Sequence, residues 1–131
     1  MLEVRSLDTA QQIEKYINDN IAWDLSIEHL CAHFSISRAE LYQLFHTNFN
    51  ASVADYIRSK RIAMAEQLIR TTSMQISEIA ANVGFFDYNY FSKVFHRKFG
   101  VSPREYRKKL EDNGTGQEKT AEQGKSNTKK A

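Results

Sequence analysis

The chain carries one pattern twice, as IEHLCAHFSISRAELYQLFHTNFNASVADY at residues 27–56 and as ISEIAANVGFFDYNYFSKVFHRKFGVSPREY at residues 76–106. Apolar residues up to position 34 recur 49 positions later, and those from position 41 onward recur 50 positions later, after one inserted residue. In each copy a short helical pattern is followed by a turn, at Ser35 or Gly84, and then by a second helical pattern. The repeat therefore predicts two helical hairpins with a helix-turn-helix layout.

Glycine and proline are scarce around these repeats, with 5 glycines and 1 proline in 131 residues. Three of the glycines lie beyond residue 110, whereas antiparallel β domains need such residues at many turns. The composition therefore favours an all-α fold of seven helices, in which two helix-turn-helix subdomains are joined by a long central helix. The apolar periodicity predicts these helices at residues 9–20, 27–34, 38–48, 53–71, 76–83, 88–98 and 103–110.

Three pairs of residues carry the signature of a helix N-terminus, in which a polar cap is followed three residues later by an acid or an amide. These pairs are Asp8 with Gln11, Ser37 with Glu40, and Ser102 with Glu105. In the last pair, Pro103 occupies the first helical position, where its missing N–H group costs nothing. The pairs therefore predict where the first, third and seventh helices begin.

The chain divides by composition into an ordered region and a polar end. Residues 111–131 contain no large aliphatic or aromatic residue, so they cannot bury enough apolar surface to offset the entropy of ordering. We expect an N-terminal extension at 1–8, a tandem helix-turn-helix domain at 9–110 and a disordered tail at 111–131. Within the domain we expect a first lobe at about 9–52, a linker helix at about 53–71 and a second lobe at about 72–110.

Charge is divided unevenly along the chain, although the formal net charge is only +2. Residues 1–57 carry three basic and eight acidic side chains, whereas residues 58–110 carry eleven basic and four acidic ones. A basic half of this kind favours a polyanionic partner, because phosphate neutralisation supplies most non-specific affinity for nucleic acid. The same charge also fits a helical protein-interaction module that binds an acidic partner, so charge alone leaves both alternatives open.

The second helix of each repeat has an outward face that suits duplex DNA. Burial of the apolar residues leaves Ala39, Tyr42, Gln43 and His46 outward in the first repeat and Asn89, Lys93, His96 and Arg97 outward in the second. Glutamine and asparagine pair with adenine, lysine approaches guanine acceptors, and neither face carries a carboxylate beyond its first turn. The faces therefore favour readout of two successive major-groove segments by helices 38–48 and 88–98.

The predicted helix at 53–71 would hold the two reading helices apart. About 19 residues at roughly 1.5 Å per residue span about 28 Å, which is close to the roughly 34 Å turn of duplex DNA. Two lobes held at that separation would bind one asymmetric site as a monomer.

Several kinds of site lack support in the sequence. His29 and His33 stand four residues apart on one helix, but a zinc site needs three or four ligands and Cys31 points to a different face. We interpret the histidines as a solvated helix face and Cys31 as a buried core thiol. The sequence shows no glycine-rich phosphate loop, nucleophile triad or carboxylate pair, so we expect no enzyme activity, cofactor or metal.

Membrane association is not expected either. The chain lacks a run of roughly 18 apolar residues and an apolar signal core at its start. Its single cysteine cannot form an internal disulfide, which is typical of a reducing compartment. We therefore expect cytoplasmic localisation.

Specific motifs in both repeats resemble a known family. In the second repeat they are Gly84-Phe85, the run Asp87–Phe95, Phe99-Gly100 and the run Ser102–Arg107. In the first repeat they are Leu25-Ser26, Ser37-Arg38, Leu41, Phe45 and Tyr56-Ile57-Arg58. On these motifs residues 9–109 closely resemble the AraC/XylS-type transcription regulators, although Ser35 stands where glycine is common.

The resemblance implies a two-lobed domain that binds double-stranded DNA, contacts RNA polymerase and regulates transcription as an activator. Carried over by position, it implies base contacts by Ala39, Tyr42, Gln43, Asn89 and Lys93, with Ala39 able to reach a thymine methyl. We expect phosphate contacts from polar and basic residues on and around the same helices: Ser37, Arg38, His46, Arg61, His96, Arg97, Lys98 and Arg104. Because family members usually carry a sensing or receiver domain, the resemblance also implies either a fragment or a stand-alone regulator.

Overall fold

A computed structural model describes the backbone of residues 2–118 and the side chains of residues 7–113. These residues form seven helices and no strand, so the predicted all-α class is confirmed. The helices are α1 (Leu2–Asp19), α2 (Ile27–Phe34), α3 (Arg38–Phe49), α4 (Val53–Thr71), α5 (Ile76–Asn82), α6 (Tyr88–Phe99) and α7 (Pro103–Glu118). None of these helices is long and apolar enough to cross a membrane.

The first helix begins seven residues earlier than predicted. Residues 2–8 belong to α1, so Asp8 is not an N-cap but an internal residue whose carboxylate accepts a hydrogen bond from Gln12 Nε2 at 3.2 Å. The capping signature was misleading because residues 2–7 contain neither glycine nor proline, and nothing in them stops a helix.

The last helix runs past the predicted boundary at residue 110. Residues 111–118 are helical, which corrects the expectation that the disordered tail begins at residue 111. The hydrogen bonds of a helix are local, so a polar segment can continue a helix that the apolar residues upstream have already anchored. Residues 119–131 of the expected tail lie outside the described residues.

The other two capping predictions are confirmed. Ser37 Oγ accepts from the Glu40 amide at 3.1 Å, and Glu40 Oε1 accepts from the Ser37 amide at 2.8 Å. Ser102 and Glu105 form the same reciprocal pair at 3.1 and 3.2 Å. These capping boxes fix the starts of α3 and α7 by satisfying amide groups that would otherwise lack partners.

The chain forms two compact units, and α4 contributes to both. Unit 1 comprises residues up to Met64 together with Asn82–Gly84; unit 2 comprises Ala65–Ala81 and the residues from Phe85 onward. The predicted linker helix matches α4 in its bounds, but it is not a separate linker. Val53 and Ile57 lie in the core of unit 1, whereas Ala65 and Ile69 are buried in unit 2. Helical spacing of these apolar residues makes one helix part of two cores.

Each unit packs an aromatic cluster around one buried phenylalanine, Phe45 or Phe95, at matching positions of the repeat. The clusters are Phe45, Phe49 and Tyr56 in unit 1 and Phe95, Phe99 and Tyr106 in unit 2. Ring centroids lie 4.4–5.3 Å apart in the first cluster and 4.5–5.4 Å apart in the second. These phenylalanine and tyrosine rings thus pack the reading helix of each unit against the helix that follows it.

An arginine in each unit holds the loop that precedes the helix-turn-helix. Arg61 Nε and Nη2 donate to the carbonyls of Ile21 and Trp23, both at 2.9 Å. Arg107 donates to three carbonyls at the end of α4 and in the loop after it, those of Ile69, Thr72 and Met74. These bonds satisfy carbonyls in loops and in the last turn of α4, which lack the partners that a continuing helix would supply.

Candidate nucleic-acid interface

The orientation of α6 follows from its cap and its buried face. Asp87 Oδ1 accepts from the Tyr90 amide at 3.2 Å and so caps the helix N-terminus. Phe91, Val94 and Phe95 are buried on one side of the helix. Because α6 is fixed at its start and along its inner face, its opposite face is presented to solvent in one orientation relative to the core of unit 2.

The outward face of α6 lines an open groove of about 740 Å³, which we call the α6 groove. Its lining residues are Asn89, Ser92, Lys93, His96, Arg97 and Ser102. Every one of these side chains can form hydrogen bonds, and none is acidic. The structure therefore brings Asn89, Lys93, His96 and Arg97 together as the sequence predicted.

Ser92 and Ser102 belong to the α6 groove but were missed as site residues by sequence reasoning. Ser92 is half-buried, and Ser102 was recognised only as the cap of α7. Helical spacing gives a signal for Ser92, which stands three residues after Asn89 and four before His96. Ser102 is brought beside α6 by the turn at Gly100, which only the folded chain shows.

The corresponding groove beside α3 is smaller, at about 460 Å³, and we call it the α3 groove. Leu41 and Phe45 are buried on the inner face of α3. The outward residues are all exposed, as predicted: Ala39, Tyr42, Gln43 and His46. Of these, Tyr42 and His46 line the α3 groove, together with Asn50, Ala51, Ser52, Val53 and Asp55.

Polar groups around α3 are already paired within unit 1. Arg38 Nη2 lies 2.6 Å from Glu28 Oε2 in an exposed ion pair. Gln43 Nε2 donates to Thr47 Oγ1 at 2.9 Å. Binding of DNA by Arg38 or Gln43 therefore requires exchange of an existing contact, which lowers the net gain from each new one.

The candidate phosphate contacts fall into an accessible set and one exception. Seven of the eight are exposed: Ser37, Arg38, His46, His96, Arg97, Lys98 and Arg104. Arg61 is half-buried, and its guanidinium already binds the two loop carbonyls. Burial lowers the pKa of the Arg61 guanidinium, although the nearby Asp24 opposes that change. The structure thus engages the Arg61 guanidinium within unit 1.

The histidines of α2 pack more closely than a solvated face would. Tyr16 Oη lies 2.6 Å from His29 Nε2, and the Tyr16 ring stacks on His33 with centroids 4.1 Å apart. Cys31 is half-buried against the core of unit 1, so the thiol is less enclosed than predicted. Among the described residues, no three histidine, cysteine or acidic side chains are grouped to hold a metal ion.

Comparison with known proteins supports the predicted motif. A family model for the helix-turn-helix domain matches residues 30–109. The HTH-type transcriptional activator RhaR of Cronobacter sakazakii is 38% identical over 100 residues, which cover 76% of this chain and 35% of the relative. The chain therefore spans about a third of the length of that relative.

Solved structures agree with this match. The C-terminal domain of the two-component response regulator yesN from Fusobacterium nucleatum has a TM-score of 0.71 and 30% identity, covering 76% of this chain and 98% of that domain. A transcriptional regulator from Chromobacterium violaceum, described among AraC-type DNA-binding domain-containing proteins, has a TM-score of 0.70 and 27% identity, covering 82% and 94%. The chain therefore belongs to the AraC/XylS-type transcription regulators, and its two units form the helix-turn-helix DNA-binding domain of that family.

Proposed function

We propose that this chain is the DNA-binding part of a transcription activator and recognises duplex DNA by sequence through α3 and α6. The observation that carries the proposal is the α6 groove, which is lined only by hydrogen-bonding and basic side chains. A carboxylate there would repel phosphate, and its absence from the lining fits a surface that meets the major groove. The name of the activator relative supports the regulatory direction.

Each exposed residue of the two reading helices fits a definite kind of base contact. Lys93 suits the O6 and N7 acceptors of guanine, whereas Asn89 and Gln43 suit bidentate pairing with adenine. Ala39 is small and apolar, so it suits the methyl group of thymine. Tyr42 completes the base-reading set of α3. Base contacts of this kind give specificity, while phosphate contacts position the helices.

Phosphate contacts are assigned to the exposed polar and basic residues around these helices. They are Ser37, Arg38 and His46 for unit 1, and His96, Arg97, Lys98 and Arg104 for unit 2. We leave Arg61 out of this set because its N–H groups already satisfy the carbonyls of Ile21 and Trp23. Arg61 instead stabilises the loop that leads into α2.

The remaining features of the proposal concern the complex as a whole. The chain acts as a monomer on one asymmetric site, and the two reading helices address successive major-groove segments. The tandem repeat supports this arrangement, since each copy supplies its own reading helix. The bound regulator contacts RNA polymerase in the cytoplasm and catalyses no reaction itself.

Salt dependence of binding tests the proposal directly. With about 6–10 phosphate contacts, affinity for a duplex selected from random DNA should fall by about 10³–10⁵ between roughly 50 and 200 mM salt. Replacing Arg97 with alanine should reduce the slope of log affinity against log salt by about 1. The matched control is Lys15→Ala, which removes an exposed charge on α1 that is paired with Asp19.

Gel-shift or fluorescence anisotropy titrations give both measurements. Affinity that stays constant across this salt range would contradict phosphate-driven binding. Recovery of no preferred duplex, together with capture of an acidic protein by the same chain, would favour the protein-interaction alternative.

A further inference from the structure

Phe86 is an exposed aromatic residue that the repeat does not require. The helix-turn-helix of unit 2 is one residue longer than that of unit 1, since the offset between the copies changes from 49 at Gly84 to 50 at Asp87. With Phe85 aligned to Ile36 and Asp87 aligned to Ser37, Phe86 is the inserted residue. Its side chain is 83% exposed.

No packing role within the unit accounts for this side chain. Phe86 precedes the N-cap of α6, the position from which an apolar residue would pack as a hydrophobic staple against Phe91. That place is taken by Phe85, which is buried and whose ring centroid lies 5.1 Å from that of Phe91. In unit 1 the preceding residue, Ile36, packs against the core. Phe86 therefore adds an apolar surface that the fold does not use.

Phe86 lies at the N-terminal end of α6, immediately before the cap residue Asp87, whose backbone is extended. Asn89, Lys93 and Arg97 are spaced by four along one face of the helix, and all three line the α6 groove. The exposed ring thus lies at the end of α6 from which a recognition helix contacts base edges.

We propose that Phe86 is a further specificity-determining residue, which contacts the 5-methyl group of a thymine at the edge of the segment read by unit 2. This inference rests on the proposed function, because it places α6 in the major groove. The thymine methyl is the apolar group that a base pair presents there, so an exposed aromatic ring at the N-terminal end of the reading helix meets it in preference to polar base edges.

Deoxyuridine substitution tests this contact, since uracil differs from thymine only by the missing methyl group. The probe is a duplex selected from random DNA by the unaltered chain, with each thymine replaced in turn by deoxyuridine. We expect the unaltered chain to lose about fourfold in affinity at one thymine, the effect of exposing one methyl group. Phe86→Ala should bind the parent duplex at least fourfold more weakly and should no longer respond to deoxyuridine at that thymine.

Control variants separate this contact from a general effect. Trp23→Ala removes another exposed aromatic, 70% accessible in the loop after α1, and should keep the deoxyuridine response of the unaltered chain. Phe86→Leu should retain part of the response, because it keeps an apolar side chain. Since Phe86 is exposed, its variants should melt at the same temperature as the parent.

Two outcomes would overturn the inference. The first is unchanged affinity of Phe86→Ala. The second is an equal loss of affinity on the thymine and deoxyuridine duplexes, which would indicate a sugar contact or an indirect effect. Failure of the proposed function looks different, because the unaltered chain would then select no duplex at all.

Discussion

The two repeats end their helices with different residues in the same backbone conformation. In the first repeat Ser35 and Asn50 adopt left-handed conformations, with φ of 56° and 51°. In the second repeat Gly84 and Gly100 occupy the matching places, with φ of 101° and 82°. A left-handed conformation strains most side chains but not glycine, and asparagine tolerates it better than most. The fold thus requires a positive φ at the end of both helices of each repeat, while the residue that adopts it differs between the repeats.

The interiors of the two repeats are alike, and their surfaces differ. Matching aromatic clusters pack both reading helices. Outside, α6 presents basic and amide groups, whereas the guanidinium and amide groups of Arg38 and Gln43 on α3 are occupied by Glu28 and Thr47. Packing constrains the inner positions to similar shapes, but exposed positions can change without cost to the fold. The comparison teaches that one scaffold supports two reading surfaces of different chemistry.

We expect the largest effect on stability from substitution of Gly84, and a much smaller one from substitution of Gly100, the other glycine of the second repeat. A Cβ at Gly84 would lie 2.6 Å from Arg61 Nε and 2.7 Å from the Ile21 carbonyl oxygen, whereas a Cβ at Gly100 would meet nothing within 4 Å. Gly84→Ala should therefore lower the free energy of unfolding by about 3 kcal/mol, combining backbone strain with overpacking. Gly100→Ala should cost only about 1 kcal/mol from the strain of its positive φ.

Urea denaturation of both variants checks this difference. The control is Ser35→Gly, which should hold or raise stability because it relieves a left-handed serine in the first repeat. Equal losses for Gly84→Ala and Gly100→Ala would mean that backbone conformation alone sets the cost and that the close approach of Arg61 is unimportant.

The next effect compares the two reading helices on DNA. Lys93→Ala should weaken binding to a selected duplex by about 1–3 kcal/mol and relax specificity at one cluster of base pairs. Gln43→Ala should relax a separate cluster by a smaller amount, because the Gln43 amide must first leave Thr47. Both variants should bind random DNA almost normally, since base contacts specify and phosphate contacts position.

Base-resolved footprinting with both variants measures these clusters. Lys15→Ala serves as the control for removal of a charge on a helix outside the reading pair. If both substitutions affect the same base pairs, the assignment of one reading helix to each unit is wrong.

The smallest effect concerns the two tyrosines of the aromatic clusters. Tyr106 Oη donates to Glu66, which also accepts from Arg70 Nε at 2.8 Å. Burial acts to raise the pKa of Glu66, but hydrogen bonds from Arg70 and Tyr106 outweigh it and hold that pKa below its ordinary value. Tyr56 Oη is buried and forms no hydrogen bond of normal geometry among the described residues, although Glu14 lies nearby. Burial, with the nearby negative charge of Glu14, raises the pKa of Tyr56.

Tyr106→Phe should therefore cost about 1–2 kcal/mol of unfolding free energy, because it leaves a partly buried carboxylate with one partner fewer. Tyr56→Phe should change stability by less than about 0.5 kcal/mol, or raise it slightly, because it removes a buried hydroxyl that forms no well-aligned hydrogen bond. Thermal and urea denaturation at neutral pH distinguish the two. A loss at Tyr56 as large as that at Tyr106 would show that its hydroxyl has a partner in solution.

Local patterns in the sequence predicted most of the fold, but long-range contacts could not be read from it. The bounds of α2 and α4 match their predicted ranges, because apolar spacing and capping residues act within a few positions. Arg61 illustrates the limit, since it was predicted to contact phosphate but binds carbonyls 38 and 40 residues away in sequence. The pairing of Glu28 with Arg38 likewise depends on how the turn folds α3 back beside α2.

The outward faces of α3 and α6 were predictable because they follow from burial of the opposite side of each helix. The inserted Phe86 was visible as a change of offset, but only the structure shows that Phe85 takes the inner place and leaves the other ring outside. The assignment of particular exposed residues to base contacts stays a prediction. Helical spacing shows which way a side chain points, but it does not show which chemical group the side chain binds.

Because α4 is divided between two cores, its interior decides where the DNA-binding units of different regulators can be joined. The first half of α4 contributes Val53 and Ile57 to the core of unit 1. The second half buries Ala65 and Ile69 in unit 2. A chimaera joined at either end of α4 would remove native core residues from one of the two units. The joint for a chimaera therefore lies inside the helix, between Met64 and Ala65, and residues 82–84 must be taken from the same regulator as the first unit, to which they belong.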